Sequence, residues 1–114
     1  MPDSSWKSFE RRIAKLFGGK RRGADYRSEQ GGKDDVVHGR FSIECKLLGR
    51  PSYSDLLDAA RQAERNSPPD RIPIAIIKRK HADDRDSLVV MRLETFLKYE
   101  PRPEEPNDHP DPRT

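Results

Sequence analysis

Asp35-Val36-Val37-His38-Gly39-Arg40-Phe41-Ser42-Ile43-Glu44-Cys45-Lys46 is the stretch that decides the fold. Phe41, Ile43 and Cys45 alternate with Ser42, Glu44 and Lys46, the two-residue period of a strand with one apolar and one polar face. Asp35 to His38 reads as a brief neighbouring strand, and Gly39-Arg40 as the turn between them. The stretch therefore predicts a hairpin.

Upstream, Trp6, Phe9, Ile13, Leu16 and Phe17 recur at helical spacing, which predicts a helix over Trp6–Phe17 with these residues in the core. Asp3, Ser4 or Ser5 can cap its start, and Gly18-Gly19 can end it with a left-handed residue. Glu10 falls at the edge of that apolar stripe. Lys20 to Lys33 is polar and basic, with room for a short strand near Tyr26.

Downstream, Ser52 and Asp55 have capping-box spacing before a helix from about Tyr53 to Arg65, whose inner face would be Leu56, Leu57, Ala60 and Ala63. Pro68-Pro69 ends it. Ile72 to Lys78 is a continuous apolar run of interior-strand type, with Pro73 tolerable near its start. After a charged turn at 80–86 come a strand from Leu88 to Leu93 and a short helix around Thr95 to Tyr99. A helix that crosses over between strands of one sheet implies an α/β fold with a partly parallel sheet.

The chain has 114 residues, enough for one domain, with 32% hydrophobic and 38% charged residues. Residues 1–99 carry 21 Lys and Arg against 15 Asp and Glu, a balance of +6, whereas residues 100–114 carry 2 against 5. The division predicts a single basic domain at 1–99 that suits a polyanionic partner, or simply has a solvated surface. The last fifteen residues, with five prolines, are expected to be a disordered acidic tail. One cysteine excludes an intramolecular disulfide and a cysteine zinc site. The absence of a secretory pattern and of a membrane-length apolar run predicts a cytoplasmic protein.

Chemistry concentrates on the hairpin. Alternation puts Glu44 and Lys46 on one face about 7 Å apart, and Asp35 on the neighbouring strand can converge on Glu44. Adjacent carboxylates repel unless a cation lies between them, and oxygen ligands favour Mg²⁺ or Mn²⁺ over zinc. The carbonyl of Cys45 could add an oxygen. Such an ion polarises a phosphate and acidifies water, while Lys46 could orient that water or stabilise the developing charge. Glu-x-Lys alone is also ordinary on a strand's solvent face.

Asp35-Val36-Val37 followed by Glu44-Cys45-Lys46 resembles the PD-(D/E)XK nuclease signature, with Glu10 upstream and Gln62-Ala63 downstream resembling its flanking motifs. Within that superfamily the pattern, over residues 6–93, is similar to archaeal-type Holliday junction resolvases, including those of phages. The resemblance implies a restriction-endonuclease-like core, a mixed β-sheet flanked by helices. It implies Mg²⁺ dependence, with Mn²⁺ able to substitute, a homodimer, and paired phosphodiester hydrolysis in four-way DNA junctions. It assigns Asp35, Glu44 and Lys46 as the catalytic triplet, Glu10 as the helical acid assisting the metal, and Gln62 as an accessory residue near Lys46 or the substrate. Asp34 stands where the family often has Pro, and the spacing to Val36-Val37 favours Asp35 over Asp34 as ligand. Ser28 is the candidate for the serine that family members carry before the Asp.

Lys20, Arg21, Arg22, Arg27 and Lys33 form the candidate DNA grip, extended by Arg61, Arg65, Lys78 and Arg79 if those do not merely face solvent. Contacts of this kind reach the phosphate backbone and read no sequence. Glu10 alternatively pairs with Lys7 or Arg11 on an exposed helix face, and Cys45 belongs to the core. His38, His81 and His109 lack ligand spacing and fit surface or turn positions. Paired incisions need two active sites, which a two-fold dimer supplies, with Leu88 to Met91, Phe96 and Leu97 as candidate contacts. The alternatives are a small nuclease of the same type acting on flaps, ends or duplex DNA, and a non-catalytic DNA-binding protein with the same fold.

Overall fold

In the computed structural model, residues 5–21 and 35–100 are described. Eight elements follow one another: α1 (Ser5–Phe17), β1 (Lys20–Arg21), β2 (Val36–Val37), β3 (Phe41–Leu48), α2 (Tyr53–Asn66), β4 (Ile72–Arg79), β5 (Leu88–Val90) and α3 (Leu93–Tyr99). A short 3-10 turn at Asp84–Asp86 precedes β5. The strands form one mixed sheet in the order β1-β2-β3-β4-β5. All pairs are antiparallel except β3 with β4, which α2 joins as a crossover. The expected α/β architecture, a mixed sheet flanked by helices, is present.

Each face of the sheet takes one of the two longer helices. Phe9, Ile13 and Ala14 of α1 pack with Val36, Ile43, Ile74 and Ile76, with Phe41, Cys45 and Leu47 around them. On the other face, Ala59 and Ala63 of α2 meet Ala75 and Ile77, with Leu48, Leu56 and Val90 beside them. Small residues on both surfaces let this helix lie close to the sheet. Phe9 is fully buried, and its truncation to Ala would cost about 3–5 kcal/mol.

Local signals act as read at both helix ends. Gly18 adopts φ 69°, and Gly19 N–H donates to Ala14 O at 2.9 Å, closing α1 with a left-handed residue. Ser52 Oγ accepts from Asp55 N–H while Asp55 Oδ2 accepts from Ser52 N–H, a reciprocal cap on α2. Pro73 is accommodated because Ile72 N–H donates toward the β3 side, to Arg40 O. Position 73 therefore faces the β5 side, where pairing begins only at Ala75.

Several expectations are corrected. The apolar stripe of α1 is Phe9, Ile13, Ala14 and Phe17, with Glu10 inside it. Trp6 in the first turn is 50% exposed, and Leu16 lies on the flank. Ala59 joins the inner face of α2, and the last strand stops at Val90 so that Leu93 opens α3. Lys78 does not face solvent: its Nζ donates to Asp84 Oδ1 at 2.8 Å and lies 5.5 Å from the Phe9 ring centroid. Asp84 also takes a two-pronged bond from Arg12, tying α1 to the turn before β5. The expected strand near Tyr26 and the tail beyond residue 100 lie outside the described residues, in which no helix is long and apolar enough to cross a membrane.

Candidate active site

β3 is the platform. Its alternation holds, with Phe41, Ile43, Cys45 and Leu47 toward α1 and Ser42 and Glu44 toward the α2 side. The polar face is not open to solvent, however, because α2 covers it: Ser42 is buried, and Glu44 is only 2% exposed. Burying a carboxylate requires a donor, and α2 supplies one. Asn66 Nδ2–H donates to Glu44 Oε1 at 2.6 Å from the last turn of the helix.

Asp35 enters from the β2 side. Its N–H donates to Ile43 O at 2.9 Å, and its Oδ2 accepts from Cys45 N–H at 2.8 Å. The carboxylate is therefore pinned to the backbone between Glu44 and Lys46. In a strand a residue's N–H and C=O point to the same edge, so the Cys45 carbonyl faces this side too.

Electrostatics reveal the crowding. Burial pushes the Glu44 carboxyl up to about 8. The Asn66 hydrogen bond opposes that rise, the charge of Asp35 and a hydrogen bond with it reinforce it, and the Lys46 charge lowers it. Burial also raises the Cys45 thiol, helped by the charges of Asp35, Glu10 and Glu44. That half-buried thiol, its ionisation disfavoured, packs against the α1-side core and matches its assignment to the core.

The donors fit a hard cation in kind. Asp35 and Glu44 each hold one oxygen on a fixed donor and lie close enough for the charge of Asp35 to raise Glu44, a repulsion that a cation would relieve. With the Cys45 carbonyl the set is all oxygen. Among the described residues no group of three or more His, Cys, Asp and Glu side chains gathers at metal-binding separations. Glu10 is buried on α1, on the Cys45 side of the sheet. Its alternative as an exposed residue is thereby corrected.

Of the remaining candidates, Lys46 is half-buried and close enough for its charge to act on Glu44. Gln62 is half-buried on α2, one turn before Asn66. Asn66 is the residue that sequence reading missed. It follows Ala59 by seven positions and Ala63 by three, which places it on the same inward stripe. Helical periodicity carries the signal for Asn66, one turn beyond the Gln62-Ala63 motif.

β1 brings the start of the basic segment alongside, with Arg21 opposite Val36 and Lys20 opposite Val37. Arg22, Arg27, Ser28, Lys33 and Asp34 lie outside the described residues. His38 serves the turn, since its Nδ1 accepts the N–H groups of Arg40 and Phe41. Two hollows of about 340 and 430 Å³ lie between α2 and the α3 region, and Asp35 and Glu44 line neither. No family model matches the chain, and no curated protein or solved structure is significantly similar to it.

Proposed function

We propose that this chain is a Mg²⁺-dependent DNA endonuclease of the PD-(D/E)XK type that resolves four-way junctions as a homodimer, with Mn²⁺ able to replace Mg²⁺. One observation carries the reading. Asp35, bonded to the Cys45 N–H, meets buried Glu44 beside Lys46 at the β2 side of a mixed sheet flanked by helices.

In this reading Asp35, Glu44 and the Cys45 carbonyl hold the ion, and Glu10 and Gln62 are the assisting acid and accessory residue of the resemblance. The ion supplies Lewis-acid polarisation of the scissile phosphate and a bound water of lowered pKa. Asn66 fixes the Glu44 carboxylate, and the Cys45 N–H fixes Asp35, so neither reorients when substrate arrives. Lys46 stabilises the charge that develops on the phosphate. Lys20, Arg21, Arg22, Arg27, Ser28 and Lys33 grip the backbone of the DNA. They deliver it to the site without reading bases, which suits recognition of a branched shape.

The test is incubation with Mg²⁺ on four-way junctions, flaps, forks and linear duplex. Paired symmetric nicks confined to junctions are expected, and Glu44→Ala should abolish them. Preferential cutting of flaps or linear duplex would overturn junction resolution and leave nuclease activity. Binding to DNA with no cleavage under any divalent ion would favour a non-catalytic role.

A further inference from the structure

Trp6 is the chain's single tryptophan, and it stands in the first turn of α1 with half of its surface exposed. An indole is a large apolar body that is seldom left so open, and Phe9, Ile13 and Ala14 of the same helix are buried. Lys7 Nζ lies 5.5 Å from the Trp6 ring centroid, so a cation already accompanies the ring. The packing of α1 sets where the ring stands. Phe17, at the helix end, meets Phe41 at the start of β3 with ring centroids 6.1 Å apart, and Glu10 lies near enough to Cys45 for its charge to act there. The helix therefore runs antiparallel to β3. The helical rise from Phe17 back to Trp6 is about 16 Å, and the extended length from Phe41 to Lys46 is about the same. Trp6 thus stands at the carboxyl end of β3, level with Lys46 on the α1 side and a few nucleotides from the acidic pair.

Cations collect at the same end. β3 and β4 are parallel, so both leave the sheet there, through Gly49-Arg50 and Lys80-His81. Lys80 N–H donates to Leu48 O at 2.9 Å and Arg79 Nε–H to Gly49 O at 3.4 Å, which holds the two loops together. Arg50 and Lys80 are exposed, as is Lys7, and none of the three has a carboxylate partner among the described residues. Two acids of the neighbouring turn are engaged by other cations, Asp84 by Arg12 and Lys78, and Asp83 by Arg85. The carboxyl ends of parallel strands are where open α/β sheets receive their ligands.

We infer that Trp6 is a stacking platform for an unpaired base of a DNA strand whose phosphates Lys7, Arg50 and Lys80 hold. An indole face accepts any base, and cations beside it neutralise the backbone, the combination that binds single-stranded nucleic acid without reading its sequence. The bases of an intact duplex stack on one another, so the ring serves strands that carry unpaired bases. The inference rests on the proposed function in taking DNA as the ligand. It adds a physical reason for branched DNA to be preferred, because bases at a branch point are more easily unstacked than those within a duplex.

The test uses the full chain without divalent ions, with its own indole as the reporter. Titration with single-stranded oligothymidylate should quench Trp6 fluorescence, and a blunt duplex of equal length should quench it far less. By anisotropy of labelled DNA, Trp6→Ala should weaken oligothymidylate binding about 5- to 150-fold, the range for loss of one base stack. Trp6→Phe should keep most of that binding, and duplex binding should not change in either variant. Replacing Arg50 and Lys80 together by Ala should lower the salt slope by about 1.4, for two phosphates of a single strand, and leave the quenching at saturation intact. Oligothymidylate that does not bind, or binds without changing the fluorescence, overturns the platform. So does equal quenching by the blunt duplex, undiminished binding by Trp6→Ala, or a loss as large in Trp6→Phe. Junction cleavage with no change at Trp6 would remove the platform and leave the nuclease reading. Quenching by oligothymidylate in a protein that cuts no DNA would support the platform and remove the nuclease reading.

Discussion

Asn66, the last residue of α2, donates to Oε1 of Glu44 at 2.6 Å and so joins the crossover helix to the acidic pair. Partners that orient metal-binding carboxylates typically contribute 10- to 100-fold in metal affinity or activity. Asn66→Ala should therefore weaken Mn²⁺ binding by about that factor and slow nicking in parallel. Titration of the DNA-free protein with Mn²⁺ measures the first effect independently of catalysis. Unchanged affinity would reduce Asn66 to a helix-end contact.

Glu44 gives a pH dependence of defined sign. Its folded pKa, about 8, is raised above the ordinary carboxylate value of 4.5. Between those values the folded state keeps a proton that the unfolded state has lost, so stability falls as pH rises through the window. Without divalent ions, denaturation midpoints should decline from about pH 5 to pH 8, and Glu44→Gln should flatten the decline. Mg²⁺ competes with that proton, so its stabilising effect should grow toward alkaline pH.

A second dependence runs the opposite way at acid pH. Arg12 holds the Asp84 carboxyl down to about 2, assisted by Lys78. Its stabilisation is present above the ordinary value of 3.8 and is lost as pH falls from there toward about 2. Asp84→Asn leaves the nearly buried Lys78 ammonium without its partner and should cost about 1–3 kcal/mol. Arg12→Ala should cost less, because the Arg12 side chain is 45% exposed. Urea denaturation at neutral pH separates the two.

The start of the basic segment lies beside the site through the pairing of Arg21 with Val36 and Lys20 with Val37. Replacing Lys20 and Arg21 together by Ala should weaken binding to all DNA alike. It should also reduce the salt slope of binding by about one for each phosphate no longer neutralised. Mn²⁺ affinity without DNA should not change. A weakening confined to one DNA sequence would contradict a backbone grip.

Alternation at Phe41–Lys46 made the hairpin and the juxtaposition of Asp35 with Glu44 legible, because a strand's period is set by backbone geometry alone. Capping at Ser52 and Asp55 was legible for the same local reason. What could not be read was which face another element would cover. Ser42 and Glu44 look like solvent-facing residues until α2 lies over them, and Lys78 looks like a surface cation until Asp84 and Phe9 enclose it. Trp6 and Leu16 show the reverse: helical spacing marks a stripe, but packing decides how much of it is buried. Asn66 was readable from its spacing to Ala59 and Ala63, although its partner twenty-two residues away was not.

The most direct measurement is cleavage of a four-way junction by the unmodified chain and by Asp35→Asn, Glu44→Ala and Lys46→Ala proteins, with Mg²⁺ and with EDTA. The proposed site predicts nicking that requires the divalent ion and disappears in each variant while junction binding persists. Undiminished nicking by Asp35→Asn and Glu44→Ala, or full activity in EDTA, would contradict it.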